Sequence, residues 1–544
     1  MKPMPNGAPP TARANAGYAR CWFAGIWTVT LIAGLGASAG ELADFETSLF
    51  SGAGNCAFCH DPWNASRTGQ PGEAAVLATD WRATMMAHSF KDPLWRAVME
   101  AEVKAQPQLK SFIENKCQTC HAPLARTQAA AEGTNQLAYA DAQRSPLAGE
   151  GVGCTLCHQI QPGNLGTQGS FTGHYQITTN RQIFGPYSNV LTMPMRRHVA
   201  YTTEFGAHIQ DSALCATCHT LFTPILDASG KVAGEFPEQT PYLEWINSDF
   251  AREGKHCQDC HMTRLDAPVK ISSRPPWLDP REPFWKHQIV GGNAFMLQLL
   301  ADNSKRIEAN ADVRQLEFMA AQTRSLLQSA AALQVAGKRA GQTIEFEVTV
   351  ENLTGHKFPT GHPYRRAWLH VRVTDTKKRT HFESGAVDQS GAIQGAAPGF
   401  APHFDLITRP EEVQIYQSVM MDTEGKPTWT LLRGAAYHKD NRLPPRGFSR
   451  ATTNTVHIEV AGEAANDPNF NAAANGRDTV TYRFEVPPSK TKLTIEVELL
   501  YQSVPPETVA YLLNSGDPEA RAFAKMYRRQ NHRPERVQRQ QLEL

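Results

Sequence analysis

The sequence predicts an α+β multidomain fold. Three observations carry that expectation. The first half is rich in Pro, Gly, Asn and Gln and repeats one short cysteine motif. A long amphipathic run follows at 304–332. Beyond about residue 342 the apolar period changes from helical to two. At 544 residues the chain has the length of two or three ordinary domains. Its 54 basic and 53 acidic side chains nearly cancel, so no global field points to nucleic acid or to an anionic membrane.

Residues 1–39 read as a signal peptide. Lys2, Arg13 and Arg20 precede the apolar run Cys21–Ala39, which ends in Ala37-Ser38-Ala39, an A-x-A cleavage signature. The rival reading is an uncleaved anchor, for which the run is short and interrupted by Gly34 and Gly36. No later run is long and apolar enough to span, so the mature chain is expected to be exported to the periplasm or beyond, with no integral membrane segment.

Cys21 leaves with the leader. The other ten cysteines form five identical frames, each followed at once by histidine: CAFCH (56–60), CQTCH (117–121), CTLCH (154–158), CATCH (215–219) and CQDCH (257–261). Disulfides are the default in an exported protein, but C-x-x-C-H is the attachment signal of haem c. Two thiols one helical turn apart reach the two vinyl groups on one porphyrin edge, and the next residue places its imidazole under the iron. Zinc sites would share ligands between C-x-x-C pairs and would not need a histidine after every one. The residues therefore call for five covalently attached haems. Cys56, Cys59, Cys117, Cys120, Cys154, Cys157, Cys215, Cys218, Cys257 and Cys260 would form the thioethers, and His60, His121, His158, His219 and His261 would be the proximal ligands. The first cysteines are spaced 61, 37, 61 and 42, so motifs one and two lie 98 residues before motifs three and four, which hints at a duplicated two-haem unit.

Residues 40–303 are expected to form this pentahaem domain, its core largely porphyrin wrapped by short helices and loops. A linker helix is expected within 304–335, with Val313, Leu316, Ala320, Thr323 and Leu327 on one face. A β-sandwich is expected over 336–505. Its strands at 343–350, 367–375, 479–486 and 492–500 alternate apolar and polar residues between Gly/Pro/Asn turns. Residues 506–544 read as a helical tail to about 530, followed by a solvated basic stretch.

The far axial position decides between a carrier, with histidine on both sides, and an enzyme, with an open side. The expected distal ligands are His88, in a helical run after the first motif; His198 and His208, upstream of the fourth; His287, after the fifth; and His356. His174 and His256 stand in reserve. His356 and its alternate His362 bracket the turn Lys357–Gly361 between two strands, a place from which a sandwich loop could clamp onto the haem domain. Arg365 and Arg366 beside it could pair with haem carboxylates.

GVGCTLCH, SALCATCH, PEQTPYLEWINSDFAREGKHCQDCHM, HQIVGGNAF and LTGHKFPTG, within about 50–370, resemble the multihaem cytochromes of the cytochrome c554 type, also called cytochrome c-552/4. The resemblance implies an exported electron-transfer protein with mostly bis-histidine haems and stacked haem pairs. The chain departs from the four-haem pattern in its fifth motif and its β-domain. The expected function is to carry electrons between redox protein partners. Related folds include multihaem enzymes, so the alternative is an oxidoreductase acting on a small nitrogen or sulfur compound at one haem with an open site. No C-x-x-C-K motif marks such a haem.

Overall fold

Each cysteine motif closes a short helix. Ala53–His60, Lys110–His121, Ser212–His219 and Cys257–His261 end on their motif histidine, and Cys154–Cys157 is followed by His158 as its cap. The computed structural model describes residues 42–61, 76–396, 401–449, 457–488 and 490–544; the expected signal peptide and Cys21 lie outside them. Local chemistry sets several helix starts. The Asp211 carboxylate accepts from Ala213 N–H at the head of the fourth motif helix, and Asp92, followed by Pro93, caps the helix Pro93–Ala105. Around the second and third motifs the apolar core is small, built on Trp95, Met99, Ile113, Leu124, Leu147 and Leu156.

From Ala331 the chain forms two facing sheets. One has the order β5–β8–β2–β1, with β1 Ala331–Ala340, β2 Thr343–Asn352, β5 Leu406–Ile407 and β8 Arg477–Glu485. The other has the order β7–β6–β3–β9–β10, with β3 Arg366–Asp375, β6 Ile415–Met421, β7 Ala436–Asp440, β9 Leu493–Gln502 and β10 Glu535–Glu543; β4, Thr380–Ser384, also pairs with β3. Strict alternation puts Phe346, Val348 and Val350 of β2 in one core with Leu369, Val371 and Val373 of β3 and Ile495, Val497 and Leu499 of β9. All four strands expected from the sequence are present, each within two residues of its expected ends.

Two expectations are corrected. The run 304–332 is not one helix: helix Ala294–Asp302 ends before it, helix Val313–Gln328 occupies its second half, and Ala331 already belongs to β1. A capping box sets the start, because Asp312 accepts from Gln315 N–H while the Gln315 side chain accepts from Asp312 N–H. The basic stretch keeps its arginines exposed, as expected, but it forms a strand rather than a loose end. Helices Pro506–Asn514 and Pro518–Tyr527 share a core with Ala97, Val98 and Ala101 of the first half. The chain then returns to the sandwich as β10, antiparallel to β9. Val537 is buried there, and Arg536 and Arg539 pair with Glu498 and Glu496 across the strand.

The described part of the chain lies within a single unit, Ala39–Leu544. No helix among the described residues is long and apolar enough to cross a membrane.

Candidate haem-binding site

Four of the five motif histidines point Nδ1 at a backbone carbonyl. The acceptors are Ile271 for His60 (2.8 Å), Ser89 for His121 (3.0 Å), Phe184 for His158 (2.6 Å) and Val290 for His261 (2.6 Å). A carbonyl only accepts, so the proton sits on Nδ1 and the lone pair on Nε2. This is the arrangement in which an imidazole binds a metal while its other nitrogen is held from outside. Burial pushes the pKa of all five below the ordinary histidine value, to about 4 for His121 and His219, and so keeps the rings neutral as ligands must be.

Two of these rings face a second imidazole. His158 and His287 have centroids 6.1 Å apart and planes 13° from parallel; His261 and His356 lie 6.2 Å apart at 16°. With a metal–nitrogen length of about 2 Å on each side, two imidazoles trans on one iron have centroids roughly 6.3 Å apart. The partner rings are tied in the same way, with His287 Nδ1 on Trp285 O at 3.1 Å and His356 Nδ1 on Lys357 O at 2.9 Å. Burial takes the His287 pKa down to about 3 and also lowers that of His356. The residues present therefore fit a bis-histidine haem at the third and fifth motifs.

The ten motif cysteines are free thiols, so the disulfide reading finds no support. Burial pushes Cys117 and Cys157 up to about 12, which makes them poor thiolates but suits sulfur held as a neutral thioether. The sulfurs also link the motifs. Cys56 lies close enough to Cys154, Cys218 to Cys120, and Cys257 to Cys215 for the first thiol of each pair to raise the pKa of the second. Motif one thus touches three, two touches four, and four touches five. Cys157 feels the charge of Cys218, which brings three beside four.

A buried charge network holds the loop that carries His356. Glu244, on helix Pro241–Ile246 of the first half, accepts through Oε2 from Lys357 N–H (3.0 Å) and from the Thr360 hydroxyl (2.6 Å), and its Oε1 lies 3.2 Å from Arg442. Lys357 Nζ meets Asp440 at 2.6 Å, and Arg442 meets the same carboxylate at 2.7 Å. All four charged side chains are buried, so each depends on the others for compensation. Gly361 takes a positive φ of 79° with Arg365 packed over it, which completes the turn towards His362.

The remaining expected ligands are placed differently. His88 is buried, but its Nδ1 bonds Thr84 O (2.8 Å) and its Nε2 accepts from Asn310 N–H (3.0 Å), so both nitrogens are committed. His198 is exposed, with Nε2 on Asn55 O (3.1 Å) and its ring stacked on Phe58, beside the first motif. His208 turns Nε2 to Ile160 O (2.9 Å). His362, the alternate, is half-buried next to His121, and among the described residues its ring nitrogens make only a long 3.4 Å contact, from Tyr364 N–H to Nδ1. His174 is exposed, and His256 caps its own motif helix. Arg366 is not available to a haem carboxylate, because Gln502 and Glu507 hold its guanidinium. Arg365 lies near His219 and His362 and carries no ion pair among the described residues.

No family model matches the chain, and no curated protein matches it. A solved structure does: a penta-haem cytochrome c552 from Thermochromatium tepidum, with a TM-score of 0.51 over 91% of this chain and 99% of that one, at 16% identity. The chain has the fold of a multihaem c-type cytochrome. At that identity the likeness is one of fold, and the site stands on its own geometry.

Proposed function

We propose that the chain is an exported pentahaem c-type cytochrome that carries electrons between redox protein partners. The observation that carries this reading is the pairing of His158 with His287 and of His261 with His356 at a spacing one iron fills, with every Nε2 in the two pairs left free by a tied Nδ1. When bound, haem iron supplies a one-electron couple. The chain's part would be to offer neutral imidazole nitrogens to the iron, exclude water and fix the spacing between sites. His287 serves the third haem, His356 the fifth, and His362 is the best-placed ring for the second. Residues 40–303 would form the haem domain, residues 331–505 together with β10 the sandwich that offers it His356 and His362, and residues 1–39 the export signal.

A second reading draws on the first motif. His198 and His208, the distal candidates nearest the first and third motifs, both turn Nε2 to backbone carbonyls, and no second imidazole faces His60 among the described ring pairs. A haem there with an open side would suit a multihaem oxidoreductase acting on a small nitrogen or sulfur compound.

Mass spectrometry of the purified protein should show five haem adducts, and EPR should show low-spin signals. His287→Ala and His356→Ala should each convert one of the five haems to high spin. Unchanged spectra in both variants would overturn the ligand assignment. Carbon monoxide uptake by one haem of the unmodified protein would favour the second reading.

A further inference from the structure

We infer that the surface around Phe58 is the docking site for a soluble, acidic electron-transfer protein. The inference rests on the carrier reading above and names the partner of its first site. Three segments meet there. Phe58 lies inside the first motif; Arg274 stacks on its ring at 3.8 Å, and His198 stacks on it at 4.8 Å. Ser273 N–H donates to Cys59 O, and His60 Nδ1 bonds Ile271 O, so residues 271–274 lie against the motif itself. The helix Thr192–Val199, which carries His198, also carries the exposed Met193, Arg196 and Arg197.

The patch is apolar at its centre and cationic around it. Phe58 is 51% exposed, Met193 52% and Trp277 69%, three of the most exposed large apolar side chains among the described residues. Arg196, Arg197 and Arg274 are exposed and take part in no ion pair among the described residues. The segments 186–201 and 267–278 contain no Asp or Glu at all. In a chain whose charges otherwise balance, these three guanidinium groups are a local cluster of positive charge with no ion-pair partner among the described residues. Transient redox complexes use small interfaces of this composition: an apolar contact for close approach, and a ring of charge that steers encounter without holding the product. Among the described residues the sulfur contacts join this motif to the third alone, which suits a site at one end of the array where electrons enter or leave.

The test is stopped-flow reduction of the haem-loaded protein by reduced flavodoxin, used as an acidic electron-transfer probe, across a range of salt. The variants are Arg196→Glu/Arg197→Glu/Arg274→Glu and Trp277→Ala. Lys377→Glu/Lys378→Glu, on the hairpin between β3 and β4, is the control. The triple reversal should lower the second-order rate at low salt at least about tenfold and flatten its salt dependence, the scale expected of electrostatic steering. Trp277→Ala should slow the reaction at all salt concentrations, and the control should change neither. Equal rates in all variants would overturn the inference. So would a triple variant with an altered haem spectrum, since these arginines would then be holding a haem carboxylate. Loss of binding to anionic lipid vesicles with no change in the flavodoxin rate would assign the patch to membranes instead. Reduction by dithionite separates the failures: a protein that dithionite does not reduce refutes the carrier reading, whereas normal dithionite reduction with an indifferent flavodoxin rate refutes only the docking site.

Discussion

In the sandwich, Phe346, Val371, Tyr482 and Val497 are all less than 2% exposed, and they interlock between two sheets of ten strands in total. The motif helices of the first half run only four to twelve residues, too short to be stable alone, and the apolar clusters beside them are small. One region closes its core with its own side chains. The other gathers thiols and neutral imidazoles at the ends of short helices, groups that a covalently held macrocycle would join. The sandwich is therefore the fixed body, and the loop Gly355–Gly361 is where it sets the geometry of the softer part.

The largest expected effect separates the two regions outright. Protein made without haem attachment should lose protection from proteolysis over 42–303 but retain a protease-resistant fragment with β-type circular dichroism from 331 onward. Protection of both parts to the same degree would erase the contrast. Next comes the joint between them. Glu244→Ala leaves Lys357 and Arg442 short of a buried partner and should cost about 3–5 kcal/mol in denaturant unfolding. It should also alter the spectrum of the fifth haem, because the His356 loop loses its anchor. Leu369→Ala, in the sandwich core, should cost about 2–5 kcal/mol yet leave every haem signal unchanged. If both variants behaved alike spectroscopically, the network would be mere packing.

The smallest effect concerns Glu102, on helix Pro93–Ala105, which accepts from Leu431 N–H (2.6 Å) and Leu432 N–H (3.3 Å) of the later chain. Burial pushes its carboxyl up to about 8. The folded pKa lies above the unfolded one, so the contribution of this group is full below about pH 4.5 and is lost as pH rises through about 8. Tm should therefore fall less between those pH values in Glu102→Gln than in the unmodified protein.

The motifs were legible in the sequence because covalent chemistry demands a fixed spacing on one helical turn, and nothing distant can alter it. The four expected strands were legible because a half-buried strand writes its two faces directly into the chain. The turn that made His356 a candidate was visible in the sequence, but the approach of its ring to His261 was not, and His88 has a distant partner of the same kind. In one dimension it looks as good a ligand as His287, yet a backbone N–H 222 residues away caps its Nε2. β10 was missed for a related reason. Its arginines suggest solvent until Glu496 and Glu498 are seen on the neighbouring strand. Such long-range pairing is the part of the fold that local pattern does not encode.

The sulfur contacts between motifs obey a rule of their own. Cys56 meets Cys154, first thiol on first thiol; Cys120 meets Cys218, second on second; and both pairs are separated by the same 98 residues. Contacts between equivalent atoms are what a two-fold axis produces, as in an isologous dimer. The first four sites of this single chain thus repeat one contact between motifs 98 residues apart, with the fifth added on one side.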